Sequence, residues 1–256
     1  MIRTSEITQR HKGFLPAPIM FITPYCTTHS QNTFSFTREQ ASRFAKQVAN
    51  DFNPIHDEDS KRFCVPGDLL FARILSERGV STQLKVSFNG MVNDGTVLTL
   101  EDQGNHRFSL KDDNGKEYLE LEEQGGERIT DPAVIERLIR SYVSFSGENF
   151  PHLLVPLMKD GGVMINPSRP LVIYESMSIS LQATELVAPE LAPAGSELKV
   201  DGRRGTATLH FEFRDQGQVV GTGVKTMVLS SLREYTQTDI DALVDEYNSR
   251  RDRFAA

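Results

Sequence analysis

The segment Leu69-Leu70-Phe71-Ala72-Arg73-Ile74-Leu75 is apolar nearly all the way round a helix. Pro66-Gly67 opens it, and Gly79 offers a C-terminal stop. A helix with no polar face cannot lie on a surface; it has to be enclosed. The segments that follow switch to strand periodicity, at 84–88, 96–101, 107–111 and 117–122. Asn114-Gly115 is a hairpin turn signal between the last two. A buried helix followed by antiparallel strands predicts a sheet that wraps around the helix, an α+β arrangement.

The same order of elements occurs twice. Upstream of the apolar helix, a short strand is predicted at 33–36. Thr37 and Gln40 then form a capping box, and Ala41, Phe44, Ala45 and Val48 follow at helical spacing, predicting a helix over 38–49. Asp51 to Pro54 reads as irregular, because the residue before a proline disfavours the helical region. Past residue 130, Asp131 caps a second helix with Pro132 at its first position and Val134, Leu138, Ile139 and Val143 on one face. An irregular stretch at 146–152 and an apolar segment at 153–158 come next, then strands over 171–187, 206–214 and 219–232. Thr238 is predicted to cap a last amphipathic helix carrying Ile240, Leu243, Val244 and Tyr247 on one face, and the Arg250-Arg251-Asp252-Arg253 tip suits a helix C-terminus. This weak duplication predicts a double hot-dog, two antiparallel sheets each wrapped around a central helix. It divides the chain into an N-terminal half, 1–130, and a C-terminal half, 131–256, each completing the other's core. A monomeric pseudo-dimer or a homodimer is expected.

Composition narrows the functional classes. The chain has 256 residues, 38% of them hydrophobic and 25% charged, which is a globular rather than a disordered balance. A net charge of -7 argues against a nucleic-acid partner held by the overall field. Cys26 and Cys64 are too few for a disulfide framework and lack the spacing of a zinc site, so a reducing cytoplasm is the simplest compartment. The apolar stretch 14–22 is broken by Pro16 and Pro18. It is too short to span a bilayer and does not have the form of a signal peptide, so no membrane association is expected.

One local pattern carries chemistry. Asp51-Phe52-Asn53-Pro54-Ile55-His56 is followed by Val65-Pro66-Gly67-Asp68 at the start of the apolar helix. These residues resemble the signature of the MaoC-like (R)-specific enoyl-CoA hydratases, and the order of elements is also similar to that of an uncharacterised bacterial family of like length. The hydratase resemblance implies that Asp51 and His56 act on a water that adds to an enoyl thioester and that Asn53 holds the loop or the water. It further implies that Gly67, entered through Pro66, presents its backbone N–H to the thioester carbonyl. The substrate would be borne on coenzyme A or an acyl carrier protein, with no cofactor or metal held by the protein itself. The chemistry suits the residue types: a histidine exchanges protons near neutral pH, and an N–H at a helix start is a preorganised donor.

Other readings stand beside this one. Asp51 and Asn53 are also turn formers, and Asp57, Glu58 and Asp59 read as a solvated acidic loop. The second half carries Asn149-Phe150-Pro151-His152 with Glu148 before it, a degenerate copy expected to shape an acyl pocket. Arg203-Arg204, between Gly202 and Gly205, suits a coenzyme A phosphate or an exposed turn. A hot-dog thioesterase, and a non-catalytic acyl-thioester-binding protein, are the alternatives to a hydratase.

Overall fold

The Gln40 N–H donates to the Thr37 hydroxyl, and the Thr37 N–H donates to the Gln40 side chain, so the capping box forms as the sequence predicts. The computed structural model describes residues 21–255; the expectations on 1–20, including most of the apolar stretch 14–22, lie outside them. In chain order the elements are β1 (Thr27–Thr28), β2 (Thr33–Ser35), α1 (Arg38–Gln47), α2 (Gly67–Arg78), β3 (Val80–Phe88), β4 (Leu98–Gly104), β5 (Arg107–Asp112) and β6 (Glu117–Ile129). They continue as α3 (Pro132–Gly147), α4 (Asn149–His152), α5 (Leu154–Asp160), β7 (Val163–Met164), β8 (Val172–Leu181), β9 (Glu190–Asp201), β10 (Arg204–Asp215), β11 (Gln218–Ser230), β12 (Arg233–Glu234) and α6 (Gln237–Ala255).

The apolar helix α2 is enclosed: every residue from Asp68 to Leu75 is buried. It ends at Gly79, whose φ of 80° needs glycine, and where a Cβ would lie 2.5 Å from the Ile129 carbonyl oxygen. Antiparallel strands wrap it in the order β2-β4-β5-β6-β3, and β3 pairs with β8, from which the order β8-β11-β10-β9 runs outward. The strand order is therefore nearly mirrored about the β3–β8 seam, and the two wrapped sheets join there into one ten-stranded antiparallel sheet. This is the hot-dog fold of the α+β class.

The principal core cluster draws on residues from both sides of position 130, among them Phe71, Leu75, Tyr142, Ile179 and Phe213. Burying that surface removes both sets of strands from water at once, so the core itself ties the two regions together. A smaller cluster, with Leu154, Met158, Leu209, Leu229 and Ile240, lies beneath α5 and α6.

Four expectations need correction. The strand β9 is not foreseen, because Pro193 and Gly195 within it read as loop; at the edge of a sheet a proline costs no ladder bond, and β9 is the edge. The expected strand 171–187 accordingly stops at Leu181. The stretch 146–152 is helical rather than irregular on both sides of Phe150, which alone is extended (φ −108°, ψ 124°) because Pro151 follows it. Finally, α6 begins at Gln237, so Thr238 lies inside its first turn and the Thr236 hydroxyl meets Asp239 instead, at 2.7 Å. Among the described residues no helix is long and apolar enough to cross a membrane.

Candidate active site

The loop between α1 and α2 is built by its own backbone. Asp51 accepts the Asn53 N–H at 2.9 Å, and Asn53 accepts the Ile55 N–H at 3.2 Å, which turns the chain into a single tight helical turn at Pro54–His56. The Cys64 N–H returns to the Ile55 carbonyl at 3.1 Å, closing the loop. Asn53 is exposed and its side-chain oxygen is engaged in this turn, so it holds the loop.

Within that frame Asp51 and His56 come together. His56 Nε2 lies 3.5 Å from Asp51 Oδ2, and the two side chains are only 13% and 18% exposed. His56 Nδ1 lies 2.6 Å from the Cys64 carbonyl oxygen. A carbonyl only accepts, so Nδ1 carries the proton, and in the neutral ring Nε2 is a lone pair facing a carboxylate. Two acceptors across that gap are satisfied in two ways. Either the ring is protonated, or a water donates one O–H to each. Burial pushes the Cys64 thiol up to about 11, which keeps it in the protonated, unreactive form at neutral pH.

The acidic residues after His56 are held from outside. Asp57 pairs with Lys46 on α1 at 2.7 Å and with Arg250 on α6. Arg38 donates to the backbone carbonyls of Glu58 and Ser60. Tyr247 on α6 points its hydroxyl between the carbonyls of Asn50 (3.2 Å) and Gly147 (3.3 Å). The expected basic helix tip is thus a clasp over the loop as well as a charge at a helix end.

Pro66 is buried at the entry to α2, and Gly67 is the first helical residue. A Cβ on Gly67 would stand 3.1 Å from Phe88 and 3.1 Å from Tyr174, so the face that glycine leaves open is filled by two rings tilted by 36°, 4.2 Å between centroids. Phe88 ends β3 and Tyr174 lies on β8, so the start of α2 abuts the seam of the sheet.

Beneath that seam lies a buried polar chain that sequence reasoning missed. Asp68 on α2 accepts from the Ser146 hydroxyl on α3, and Ser146 accepts from Lys225 Nζ on β11. All three residues are buried, and Lys225 Nζ also stands 4.1 Å over the Tyr174 ring. Burial drives the Asp68 carboxyl up, against the pull of Lys225 and of the Ser146 hydrogen bond. Burial drives the Lys225 amine down, against the attraction of Asp68 and then of Asp51. Asp51 pushes Asp68 further up and His56 pulls it down, each less than burial, Lys225 or Ser146 does. Among the described residues Asp68 Oδ1 has no hydrogen-bond partner. The signal for Lys225 was present in the sequence: Gly221, Gly223, Lys225, Met227 and Leu229 share the inward parity of β11, and a lysine in that series has to be buried.

His152 is exposed, and Glu148 accepts from Asn50 Nδ2 at 2.6 Å rather than reproducing the Asp51–His56 geometry. Arg203 and Arg204 sit exposed at the β9–β10 turn.

A hot-dog protein with a carboxylate–histidine pair on the loop that precedes its enclosed helix is the class that fold and site define. The chain belongs to the family described as "Protein of unknown function (DUF3581)", which matches residues 20–238. That match does not extend to the MaoC-like hydratases. No curated protein matches the sequence. Among solved structures, the chain is similar to a TesB protein of Mycobacterium avium subs paratuberculosis, at 10% identity and a TM-score of 0.43, covering 81% of this chain and 97% of that one. It is similar also to an acyl-CoA thioesterase II, TesB2, of Mycobacterium marinum, at 11% identity and a TM-score of 0.42, covering 84% and 99%. A third, a hot-dog protein of unknown function from Alicyclobacillus acidocaldarius, is 8% identical with a TM-score of 0.41, covering 81% and 96%.

Proposed function

We propose that this chain processes acyl thioesters, and that it cleaves them with water. The observation that carries this reading is the Asp51–His56 pair. Its ring is fixed by the Cys64 carbonyl, and its Nε2 and carboxylate lie 3.5 Å apart, close enough for one water beside them to touch both. In the reaction the water proton passes to His56 Nε2 while its oxygen bonds to the thioester carbonyl carbon. The C–S bond then breaks, and the thiolate takes the proton back from the imidazolium.

Addition of water to an enoyl chain is the second reading, and the order Asp51-x-Asn53-Pro54-x-His56 favours it. It requires in addition that the thioester oxygen approach the start of α2.

The two readings separate in one assay. Saturated and enoyl acyl-CoA are offered to wild type, Asp51→Asn and His56→Gln while free thiol and enoyl absorbance are followed together. Cleavage releases thiol from both substrates in wild type and from neither in the variants. Loss of enoyl absorbance without thiol overturns cleavage in favour of hydration. Binding with neither product leaves a non-catalytic acyl-thioester protein.

A further inference from the structure

A groove of about 450 Å³ lies between α3, α4 and the start of β9, and one of its lining residues, Glu148, is hydrogen-bonded to Asn50 beside Asp51. That is the size of a small-molecule site. One wall is apolar, from Phe145, Leu153, Leu191 and Pro193. Polar groups line the rest: Ser144, Glu148, His152 and Glu190. The walls are tied together, because the Leu191 N–H of β9 donates to the Ser141 hydroxyl of α3 at 2.8 Å. The wall of the groove is tied to the reaction loop: Glu148 accepts from Asn50 at 2.6 Å, and at Gly147 α3 packs directly on the loop backbone, where a Cβ would collide with the Ala49 carbonyl oxygen.

The lining chemistry selects an occupant. None of the lining residues is Lys or Arg, and two are glutamates, so the groove repels phosphates. It offers carboxylate acceptors for amide N–H groups, hydroxyl donors for amide carbonyls, and an apolar wall for methyl and methylene groups. A narrow uncharged chain with spaced amides fits all of these. We infer that the groove holds the pantetheine arm of the thioester, the segment common to coenzyme A and acyl carrier protein, with the phosphates beyond its mouth. This rests on the acyl-thioester reading above and names how such a substrate is recognised. The second-half loop around Glu148 and His152 thereby becomes a binding wall for a reaction carried out on the first-half loop.

Isothermal titration with unreactive thioethers tests it without any turnover. S-hexyl pantetheine is expected to bind wild type, and S-hexyl-N-acetylcysteamine, which lacks most of the arm, to bind at least tenfold more weakly. Leu153→Trp, which fills the groove, is expected to weaken S-hexyl pantetheine at least tenfold. Pro193→Trp is expected to do the same, and because Pro193 is exposed this variant keeps its fold. Val200→Trp, exposed on β9 outside the groove, is expected to leave binding unchanged. S-hexyl coenzyme A binding more tightly than the pantetheine compound supports the groove and names coenzyme A as the source; equal binding supports it with the arm alone recognised. Equal binding of the truncated thioether, or binding unmoved by both groove variants, overturns the inference. Its failure is distinct from failure of the cleavage reading. Binding by the groove without thiol release sinks cleavage alone, and thiol release with a KM unmoved by Pro193→Trp sinks the groove alone.

Discussion

His56 Nδ1 and the Cys64 carbonyl oxygen stand 2.6 Å apart, and this one hydrogen bond decides which nitrogen of the ring is free to take a proton. Because Cys64 is anchored to Ile55 by its own N–H, the ring and the Asp51 carboxylate belong to one closed loop. Asp51→Asn and His56→Gln are each expected to lower kcat for thiol release by about 10²–10⁴, the range for loss of a positioned acid–base group. The double variant is expected to be no slower than the worse single one, since residues acting as a unit are not additive. Initial rates of thiol release with a saturated acyl-CoA measure this. Multiplicative losses in the double variant count against a shared water.

The Asp68–Ser146–Lys225 chain makes stability depend on pH at both ends of the scale. The folded Asp68 carboxyl lies above its ordinary value of 3.8, so between these two values the native state holds a proton that the unfolded state has released. Its contribution is present below pH 3.8 and is lost as pH rises through the folded value. Lys225 lies below its ordinary 10.5, so in that interval the unfolded state holds the extra proton. Stability there rises with pH and is greatest above 10.5. Lys225→Met is expected to cost about 3–5 kcal/mol at pH 7, the usual result of removing one partner from buried opposite charges. Asp68→Asn added to it is expected to restore at least half, because no uncompensated charge remains. Urea unfolding of the four proteins at several pH values measures both effects. A double variant less stable than Lys225→Met overturns the account.

How much of this was legible follows from the range of each cause. The capping box at Thr37, the enclosed helix from Gly67 and the Asn114-Gly115 turn are local, and they form as read. Asp51 and His56 come together because the four residues between them, one a proline, have few conformations available. What was not legible depends on distant pairing. β9 is a strand only because β10 is beside it, and Ser146 meets Lys225 across 79 positions of chain. The filling of the Gly67 face is of the same kind. Phe88 and Tyr174 are unremarkable in their own strands and close on Gly67 only once β3 and β8 pair.

Glu123 sets an acid limit on the first sheet. It lies on β6 with its side chain 2% exposed and accepts from Arg128 and Arg78, the latter at the end of α2. Burial alone pushes its carboxyl up, but the hydrogen bonds from Arg128 and Arg78 outweigh it and hold it below the ordinary 4.5. The stabilisation is therefore present above pH 4.5 and is lost as pH falls through the folded value. Glu123→Gln is expected to cost about 3 kcal/mol at pH 7, where two guanidinium groups lose their counter-charge, and less near pH 3. Denaturant midpoints at the two pH values give the comparison. An equal loss at both points to packing instead of charge.

Gly67 separates the two reactions. A methyl group there meets Phe88 and Tyr174 at 3.1 Å, which the far edges of two rings can relieve by shifting a few tenths of an ångström. Alanine also favours a helix over glycine by about 1 kcal/mol. Gly67→Ala is therefore expected to leave stability within about 1 kcal/mol of wild type, the two effects opposing each other. Its effect on rate depends on whether substrate comes to that face. If the thioester is cleaved at Asp51–His56 without contacting the start of α2, thiol release falls less than about tenfold. If the enoyl thioester oxygen is bound by the Gly67 N–H, the ring shifts forced by the methyl disturb the helix start that holds it, and hydration falls by up to about 10²–10³, as for loss of an oxyanion donor. Thermal melts and parallel thiol and absorbance assays on this single variant distinguish the two. A large loss of thiol release in a fully stable Gly67→Ala protein places the cleaved carbonyl at the helix start and overturns the separation of cleavage from that face.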